Sequence, residues 1–132
     1  MLSMIVVVIS ISLPAMRRVS EVITEKPEIT NPENPIYDIL DGEIEFRNVS
    51  FKYSKTAEKN ALNDINLKIE SGMTVGIIGG TGSGKTSLVQ LIPRLYDVTD
   101  GELLVGGKNV KEYDIKALRD SVAMILQKNQ LF

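Results

Sequence analysis

Cysteine and histidine are both absent from this sequence of 132 residues. Without cysteine the chain cannot form a disulfide, a thiolate zinc site or a thiol nucleophile. Without histidine it lacks the commonest general base and metal-ligating side chain. The formal net charge is only −2 at pH 7, which gives no general attraction to nucleic acid. We therefore expect no nucleic-acid partner.

A glycine-rich segment in the middle of the chain carries the strongest motif. Residues 79–86 fill every fixed position of the pattern GxxxxGK(S/T), between the strand-like run 75–78 and a helix-like run. Glycines allow positive φ angles, so backbone N–H groups can turn towards a phosphate, and the following helix adds its positive N-terminal end. The alternative is a glycine-rich turn with a solvated lysine. The order of strand, loop, lysine, hydroxyl and helix favours phosphate binding.

Each side chain of the motif has an expected role. Lys85 is predicted to reach the β- and γ-phosphates, and the Thr86 hydroxyl to ligate the Mg²⁺ that bridges them. Positive φ angles are expected at Gly79, Gly82 and Gly84. The predicted nucleotide-binding residues of the segment are Gly79, Gly80, Thr81, Gly82, Ser83, Gly84, Lys85, Thr86 and Ser87.

Composition and length describe what surrounds this loop. Hydrophobic residues make up 43 % and charged residues 24 % of the chain, as in globular proteins. The chain is about one domain long, which is short for a complete nucleotide hydrolase of this kind. We therefore expect a fragment of a longer protein.

The N-terminal residues are apolar and uncharged. As a helix, residues 2–13 would cover roughly 18 Å, short of the ~30 Å hydrocarbon core, so they cannot span a bilayer alone. Arg17 and Arg18 follow, as at the cytoplasmic edge of a membrane helix. We interpret residues 1–25 as the end of a transmembrane helix with a cytosolic extension. A signal peptide, whose basic residues would come first, and a buried core strand are the alternatives.

A proline-rich segment comes next. Pro27, Pro32 and Pro35 stand among acidic and asparagine residues, so the helix should stop before Pro27 and residues 26–42 are predicted to be a linker.

Alternating and continuous apolar runs predict the strands. The run 43–53 indicates two short strands or one strand with a bulge, followed by a hairpin-like loop at 54–60. Residues 65–69 indicate a half-buried strand. The run 74–78 is nearly all apolar, which predicts a strand covered on both faces in a parallel sheet.

The pattern beyond the glycine-rich segment is mainly helical. A helix should begin at Lys85, bury an apolar face and kink or end near Leu91 or Ile92, because Pro93 cannot donate to its ladder. The apolar face comprises Leu88, Val89, Leu91, Ile92 and Leu95. A strand at 102–105 that turns at Gly106 and Gly107, and a short helix at 114–120, complete the prediction.

These segments together resemble the ATP-binding domain of ABC transporters over residues 43–132. The resemblance rests on the run 43–53, Leu62-Asn63-Asp64-Ile65, the phosphate loop, Asp100-Gly101-Glu102 and Gln127 with Leu131-Phe132 beyond it. The apolar helix and the linker before them resemble the exporter type. The implied fold class is α/β: a P-loop NTPase (ABC ATPase) core with an N-terminal antiparallel β subdomain, incomplete and preceded by a helical remnant of a membrane domain.

The resemblance also implies roles for single residues. Tyr53 matches the aromatic position that stacks on adenine, and Gln127 matches the glutamine that reaches Mg²⁺ and the attacking water. Lys85 and Gln127 would then be the catalytic residues, with Thr86 and Gln127 at the metal. Without the resemblance, Tyr53 would be interpreted as an ordinary strand tyrosine and Gln127 as the polar end of a strand. Leu126 stands where the family often has proline.

Several parts of the family pattern are missing from this sequence. The Ser-Gly-Gly signature, the Mg²⁺-binding aspartate, the catalytic glutamate and the switch histidine follow the glutamine in the family, and none is present. We expect a chain that holds ATP and Mg²⁺ but does not hydrolyse ATP alone. The implied partners are a second nucleotide-binding domain, a membrane domain and the lipid bilayer, with the ATP-binding part in the cytoplasm.

Two other interpretations stay open at this point. One is a soluble P-loop enzyme such as a small-molecule kinase, which would need an acceptor site and basic lid residues. The other is a non-hydrolysing nucleotide-binding partner or regulatory module.

Overall fold

A four-stranded antiparallel sheet organises the described part of the chain. The computed structural model describes residues 2–25, 27–54 and 56–125. In chain order the elements are α1 (Leu2–Thr24), β1 (Ile44–Phe51), β2 (Leu62–Ile69), α2 (Lys85–Leu91), β3 (Asp100–Val105), β4 (Lys108–Asn109), a 3₁₀ turn (Val110–Glu112) and α3 (Ile115–Ser121). The strand order is β2-β1-β3-β4, with each neighbouring pair antiparallel. The predicted antiparallel β subdomain is confirmed.

Strand β1 is one strand with a bulge, the second of the two alternatives that the sequence left open. Its register with β2 shifts between Phe46 and Val49, and Asn48 takes a φ of 49°. The Asn48 backbone N–H donates to the Asn66 side-chain oxygen at 2.9 Å, and its side-chain amide donates to the Asp64 carboxylate at 2.9 Å. Side chains of β2 therefore hold the bulge where regular ladder bonds are disrupted.

The run 74–78 does not form the parallel strand that its composition predicts, so that prediction is wrong. Residues 73–80 have neither helix nor strand, and Ile78 is 98 % exposed. A strand in a parallel sheet takes its backbone hydrogen bonds from parallel neighbours. Within the described ranges every pair of named strands is antiparallel. Among residues 2–25, 27–54 and 56–125, the run therefore has no parallel strand to pair with.

The hydrophobic core lies between the sheet and the segments that follow it. Helix α2 ends at Leu91, just before Pro93, as predicted. Only part of its predicted apolar face is buried, since Leu88 and Leu91 join the core while Val89 and Leu95 stay exposed. The largest fully buried side chains are Tyr113, Phe46, Phe51, Leu91, Leu103, Leu118 and Val49.

Part of the predicted linker is attached to the segment that begins α3. The Ile36 N–H donates to the Glu112 carbonyl at 2.9 Å, and the Asp114 N–H donates to the Ile36 carbonyl at 2.9 Å. The Asn31 side-chain amide donates to the Asp114 carboxylate at 2.6 Å. The division into a membrane remnant, a linker over 26–42 and an ATP-binding part stays a prediction.

Two polar side chains fix this end of the described chain. The Asp114 carboxylate accepts from the Ala117 N–H at 2.9 Å, which caps the helix predicted at this place. The buried Tyr113 hydroxyl donates to the Val105 carbonyl at 2.8 Å. Burial raises the pKa of the Tyr113 phenol, and the negative charge of Glu112 raises it further. The phenol therefore stays neutral, as a buried donor must.

Helix α1 ends before Pro27, as predicted, and contains Pro14. All of its side chains that the structure describes are exposed. Among residues 2–25, 27–54 and 56–125, no helix combines the length and the apolar character needed to cross a membrane.

Gly101 is the position at which the bulge of β1 meets β3. Its φ is +79°, and a Cβ atom there would collide with the carbonyl oxygens of Arg47 and Asn48. We expect Gly101→Ala to lower the free energy of unfolding by about 2–4 kcal/mol, because backbone strain and the collision add. Thermal or urea denaturation of the purified protein measures this loss.

Gly107→Ala is the matched control. Gly107 has a φ of +76°, but a Cβ there would have no atom within 4 Å. The free energy of unfolding should fall by only about 1 kcal/mol in this variant, which is the cost of holding an L-residue in the left-handed conformation. Equal losses in the two variants would contradict the close approach assigned to Gly101.

Candidate nucleotide-binding site

The glycine-rich loop connects the exposed run 73–80 to helix α2. Gly82 and Gly84 have φ angles of +81° and +87°, so positive φ is confirmed for both. The same prediction is wrong for Gly79, which is absent from the positive-φ glycines. A Cβ on Gly79 would instead lie 2.6 Å from the Ser83 hydroxyl oxygen. A side chain at position 79 would therefore require the Ser83 hydroxyl to turn away, whereas the backbone angle of Gly79 does not demand glycine.

Gly84 has a second role at the start of α2. It is the N-cap residue of this helix. A Cβ on Gly84 would lie 2.8 Å from the Ala61 carbonyl oxygen and 2.8 Å from Leu62 Cδ2. The missing side chain lets the loop pack directly against the start of β2.

Lys85 folds back over its own loop. Its ammonium group donates to the Gly79 and Gly80 carbonyl oxygens, both at 2.7 Å, and to the Ser83 hydroxyl at 3.2 Å. These contacts match the three donors of a lysine ammonium group. The positive charge therefore lies inside the loop.

Tyr53 follows β1 and reaches the first turn of α2. Its hydroxyl and the Ser87 hydroxyl are 2.7 Å apart and share a hydrogen bond. Its ring makes edge contacts with Phe51, at 4.8 Å between centroids and an angle of 73°, and with Tyr96, at 5.1 Å and 86°. The residue as a whole remains 55 % exposed. Tyr53 is thus held at its hydroxyl and along its ring while staying accessible.

One cavity of about 270 Å³ brings most of the predicted site residues together. Three of the predicted residues, Gly79, Gly80 and Thr81, do not line it; the first two contact the Lys85 ammonium group. Gln127 lies outside the described residues. The cavity is lined by Tyr53, Ala61, Gly82, Ser83, Gly84, Lys85, Thr86 and Ser87.

A larger cavity of about 710 Å³ adjoins the first, and Tyr53 lines both. Its walls include Phe51 and Tyr96, and Glu28 and Ile29 from the predicted linker. Sequence reasoning missed Tyr96 and the contact between Tyr53 and Ser87. No short-range pattern signals either, because Tyr96 and Ser87 meet Tyr53 only through the tertiary fold.

The residues present fit a nucleotide whose metal ion is held mainly by phosphate oxygens and water. The loop holds one lysine charge in the wall of the cavity, and two of its glycines have the positive φ angles with which backbone N–H groups can turn towards a phosphate. Among the described residues, no group of three or more acidic side chains could hold a metal ion. Thr86 lines the cavity and offers one hydroxyl, the minimal protein share for Mg²⁺ bound through phosphates.

Comparison with known proteins gives matches to ABC transporters and multidrug export proteins. The family model described as ABC transporter matches residues 62–132. A Bacillus subtilis relative named as a multidrug export ATP-binding/permease protein, YgaD, is 47 % identical over 122 residues, which cover 92 % of this chain and 21 % of that protein. Multidrug resistance protein 1 of Entamoeba histolytica is 37 % identical over 120 residues, which cover 89 % of this chain and 9 % of that protein.

A solved structure agrees with these relatives. A bacterial Atm1-family ABC exporter with ATP bound superposes with a TM-score of 0.83 and 26 % identity, covering 100 % of this chain and 23 % of that one. The chain thus spans about a fifth of the length of the B. subtilis relative and of this exporter. The resemblance to ABC exporters, and with it the P-loop NTPase fold class, is confirmed. The chain belongs to the ABC transporter family.

Proposed function

We propose that this chain is the ATP-binding part of an ABC exporter that couples the binding and hydrolysis of Mg-ATP to transport across a membrane. The observation that carries the proposal is the shared cavity. Tyr53 and the glycine-rich loop line it together, in a chain of this family. Nothing observed favours a small-molecule kinase.

The phosphate side of the site is formed by the loop and Lys85. The partners of the lysine ammonium group in the structure are two carbonyl oxygens and one hydroxyl, all uncharged. Phosphate oxygens carry negative charge, so they add a Coulomb attraction to the ammonium group that uncharged carbonyl and hydroxyl oxygens do not offer. Lys85 would therefore exchange Gly79 and Gly80 for the β- and γ-phosphates. Bound Mg²⁺, with Thr86 as a ligand, would neutralise part of the phosphate charge.

The base side of the site is formed by Tyr53. An exposed tyrosine ring offers an aromatic face, and adenine is a planar aromatic ring that stacks on such faces. The hydrogen bond between Tyr53 and Ser87 ties this ring to the residue directly after Thr86. One nucleotide could then contact the ring and the loop at the same time.

Hydrolysis requires groups beyond those that line this cavity. Phosphoryl transfer needs an oriented water and charge neutralisation on both sides of the γ-phosphate. None of the residues lining the cavity carries a carboxylate. We propose that Gln127 and a second nucleotide-binding domain, from an identical or a different chain, complete the site.

Location at a membrane is part of the same proposal. The B. subtilis relative is named as an export and permease protein. Helix α1 exposes apolar side chains such as Val8, Ile11 and Leu13, with Arg17 and Arg18 after them. This pattern suits a helix that leaves a membrane domain towards the cytoplasm. The ATP-binding part would then lie in the cytoplasm.

Replacing Lys85 tests the proposed function directly. In the purified native polypeptide that carries this chain, Lys85→Ala should weaken ATP binding at least about tenfold and slow hydrolysis at least about a hundredfold, because the charge facing the phosphates is lost. Calorimetric titration with ATP and a phosphate-release assay measure the two effects.

Lys108→Ala is the control for Lys85→Ala. Lys108 is an exposed lysine on β4 that pairs with Val105 in the strand ladder, so its side chain is not needed for the fold. ATP binding and hydrolysis should stay unchanged in this variant. Wild-type binding and hydrolysis in Lys85→Ala would overturn the proposed function.

Gly84→Ala tests the packing of the loop against β2. An added Cβ would press on Ala61 and Leu62, so the loop and the start of α2 must shift relative to the other walls of the cavity. We expect ATP binding to weaken about tenfold or more, as measured by the same titration. Gly72→Ala is the control, since Gly72 has a similar φ of +77° and free space around it. A similar loss in both variants would mean that strain alone, and not the loop geometry, sets the affinity.

A further inference from the structure

We propose that Tyr96 is a positioning residue that fixes the orientation of the Tyr53 ring for the base of the nucleotide. The inference rests on the proposed function, because it concerns the base side of the same site. It adds a residue that lies outside the phosphate-loop motif and 43 positions beyond Tyr53 in the chain.

Tyr53 is held by contacts of two kinds. Its hydroxyl bonds to Ser87 at 2.7 Å, which limits rotation at one end of the side chain. Phe51 and Tyr96 contact its ring at near-perpendicular angles of 73° and 86°. Perpendicular aromatic pairs are favourable because the positive edge of one ring faces the negative face of the other. Neither neighbour stacks in parallel on the Tyr53 ring, and Tyr53 keeps more than half of its surface exposed.

The two ring neighbours differ in what else they do. Phe51 is buried in the core, with 2 % of its surface exposed. Tyr96 is 39 % exposed and lies at the wall of the larger cavity, where it contacts both Phe51 and Tyr53. Replacing Phe51 would therefore disturb the core, whereas replacing Tyr96 removes one side of the support of the Tyr53 ring.

The turn that carries Tyr96 is itself pinned on both sides. Arg94 has a φ of 52° and is 5 % exposed, and its Nε donates to the Asp97 carboxylate at 2.7 Å. The Arg94 carbonyl accepts from an Arg119 guanidinium nitrogen at 2.9 Å. Leu95 donates its N–H to Gln90 of α2 at 3.1 Å. A backbone fixed at these points presents Tyr96 to Tyr53 in one direction.

A fixed ring binds a base more tightly than a mobile one. Immobilising a flexible side chain on binding weakens the affinity, and a ring that is already held avoids this cost. Tyr96 does not line the cavity beside the loop. Its effect should therefore fall on the base of the nucleotide and leave the phosphates untouched.

The test compares a ligand that has a base with one that has none. In the purified native polypeptide that carries this chain, Tyr96→Ala should weaken ATP binding about threefold to tenfold, the range expected from one aromatic pair. Binding of inorganic tripolyphosphate with Mg²⁺ should stay within about twofold of wild type, since it uses only the loop. Calorimetry measures both affinities.

Two further variants make the result specific. Tyr96→Phe keeps the ring and should bind ATP as wild type does, because the contacts of Tyr96 with Phe51 and Tyr53 are made by its ring. Tyr37→Ala removes a tyrosine that is 64 % exposed and lies outside both cavities. This control should bind both ligands as wild type does.

Each result decides for or against the role of Tyr96. Equal weakening of ATP and tripolyphosphate in Tyr96→Ala means a merely structural role, and unchanged ATP binding means no role, so either overturns the inference. Failure of the proposed function looks different, because Lys85→Ala would then leave the binding of both ligands intact.

Discussion

The hydrogen bond between Tyr53 and Ser87 is the contact on which the candidate site depends. It joins the end of β1 to the first turn of α2, two elements separated by 34 positions in the chain. On one side of this bond lies the aromatic cluster with Phe51 and Tyr96, and on the other lies the loop with Lys85. A base site and a phosphate site thereby share one wall.

Glycine makes this closeness possible at two places. At Gly84 the missing side chain lets the loop contact Ala61 and Leu62 at the start of β2. At Gly101 it lets β3 approach the bulge of β1, the strand that ends beside Tyr53. Both glycines have positive φ, so an L-residue would add strain to steric overlap. The geometry of the site is therefore set largely by backbone that packs against backbone.

Local patterns predicted the elements well where a local rule determines them. The phosphate loop has fixed spacing, and Pro93 ends α2. Asp114 caps α3 by accepting from the N–H of Ala117, three residues further along the chain. The bulge of β1 was one of two alternatives, because alternation shows a break at residues 47–48 but not what the partner strand does there. The loop spacing, the cap and the proline act over a few residues, so sequence alone was sufficient for them, whereas the bulge also depends on the partner strand.

Prediction failed where the outcome depends on distant parts of the chain. The apolar run 74–78 meets the compositional rule for a buried parallel strand, yet no parallel neighbour pairs with it among the described residues. Tyr53 could be singled out only through the family resemblance, and its support by Tyr96 and Ser87 left no trace in spacing or composition. The hydrogen bonds from Lys85 to the Gly79 and Gly80 carbonyl oxygens were not predicted either, because they depend on the folded conformation of the loop.

Photolabelling with 8-azido-ATP tests most directly the claim that one nucleotide contacts Tyr53 and the loop together. The azide is on the adenine ring, so ultraviolet light attaches the label to residues that contact the base. After digestion of the labelled native polypeptide, mass spectrometry should find the label on the peptide that contains Tyr53, and excess ATP should remove it. A label found only on peptides without Tyr53 or Tyr96, although ATP competes for it, would contradict the account.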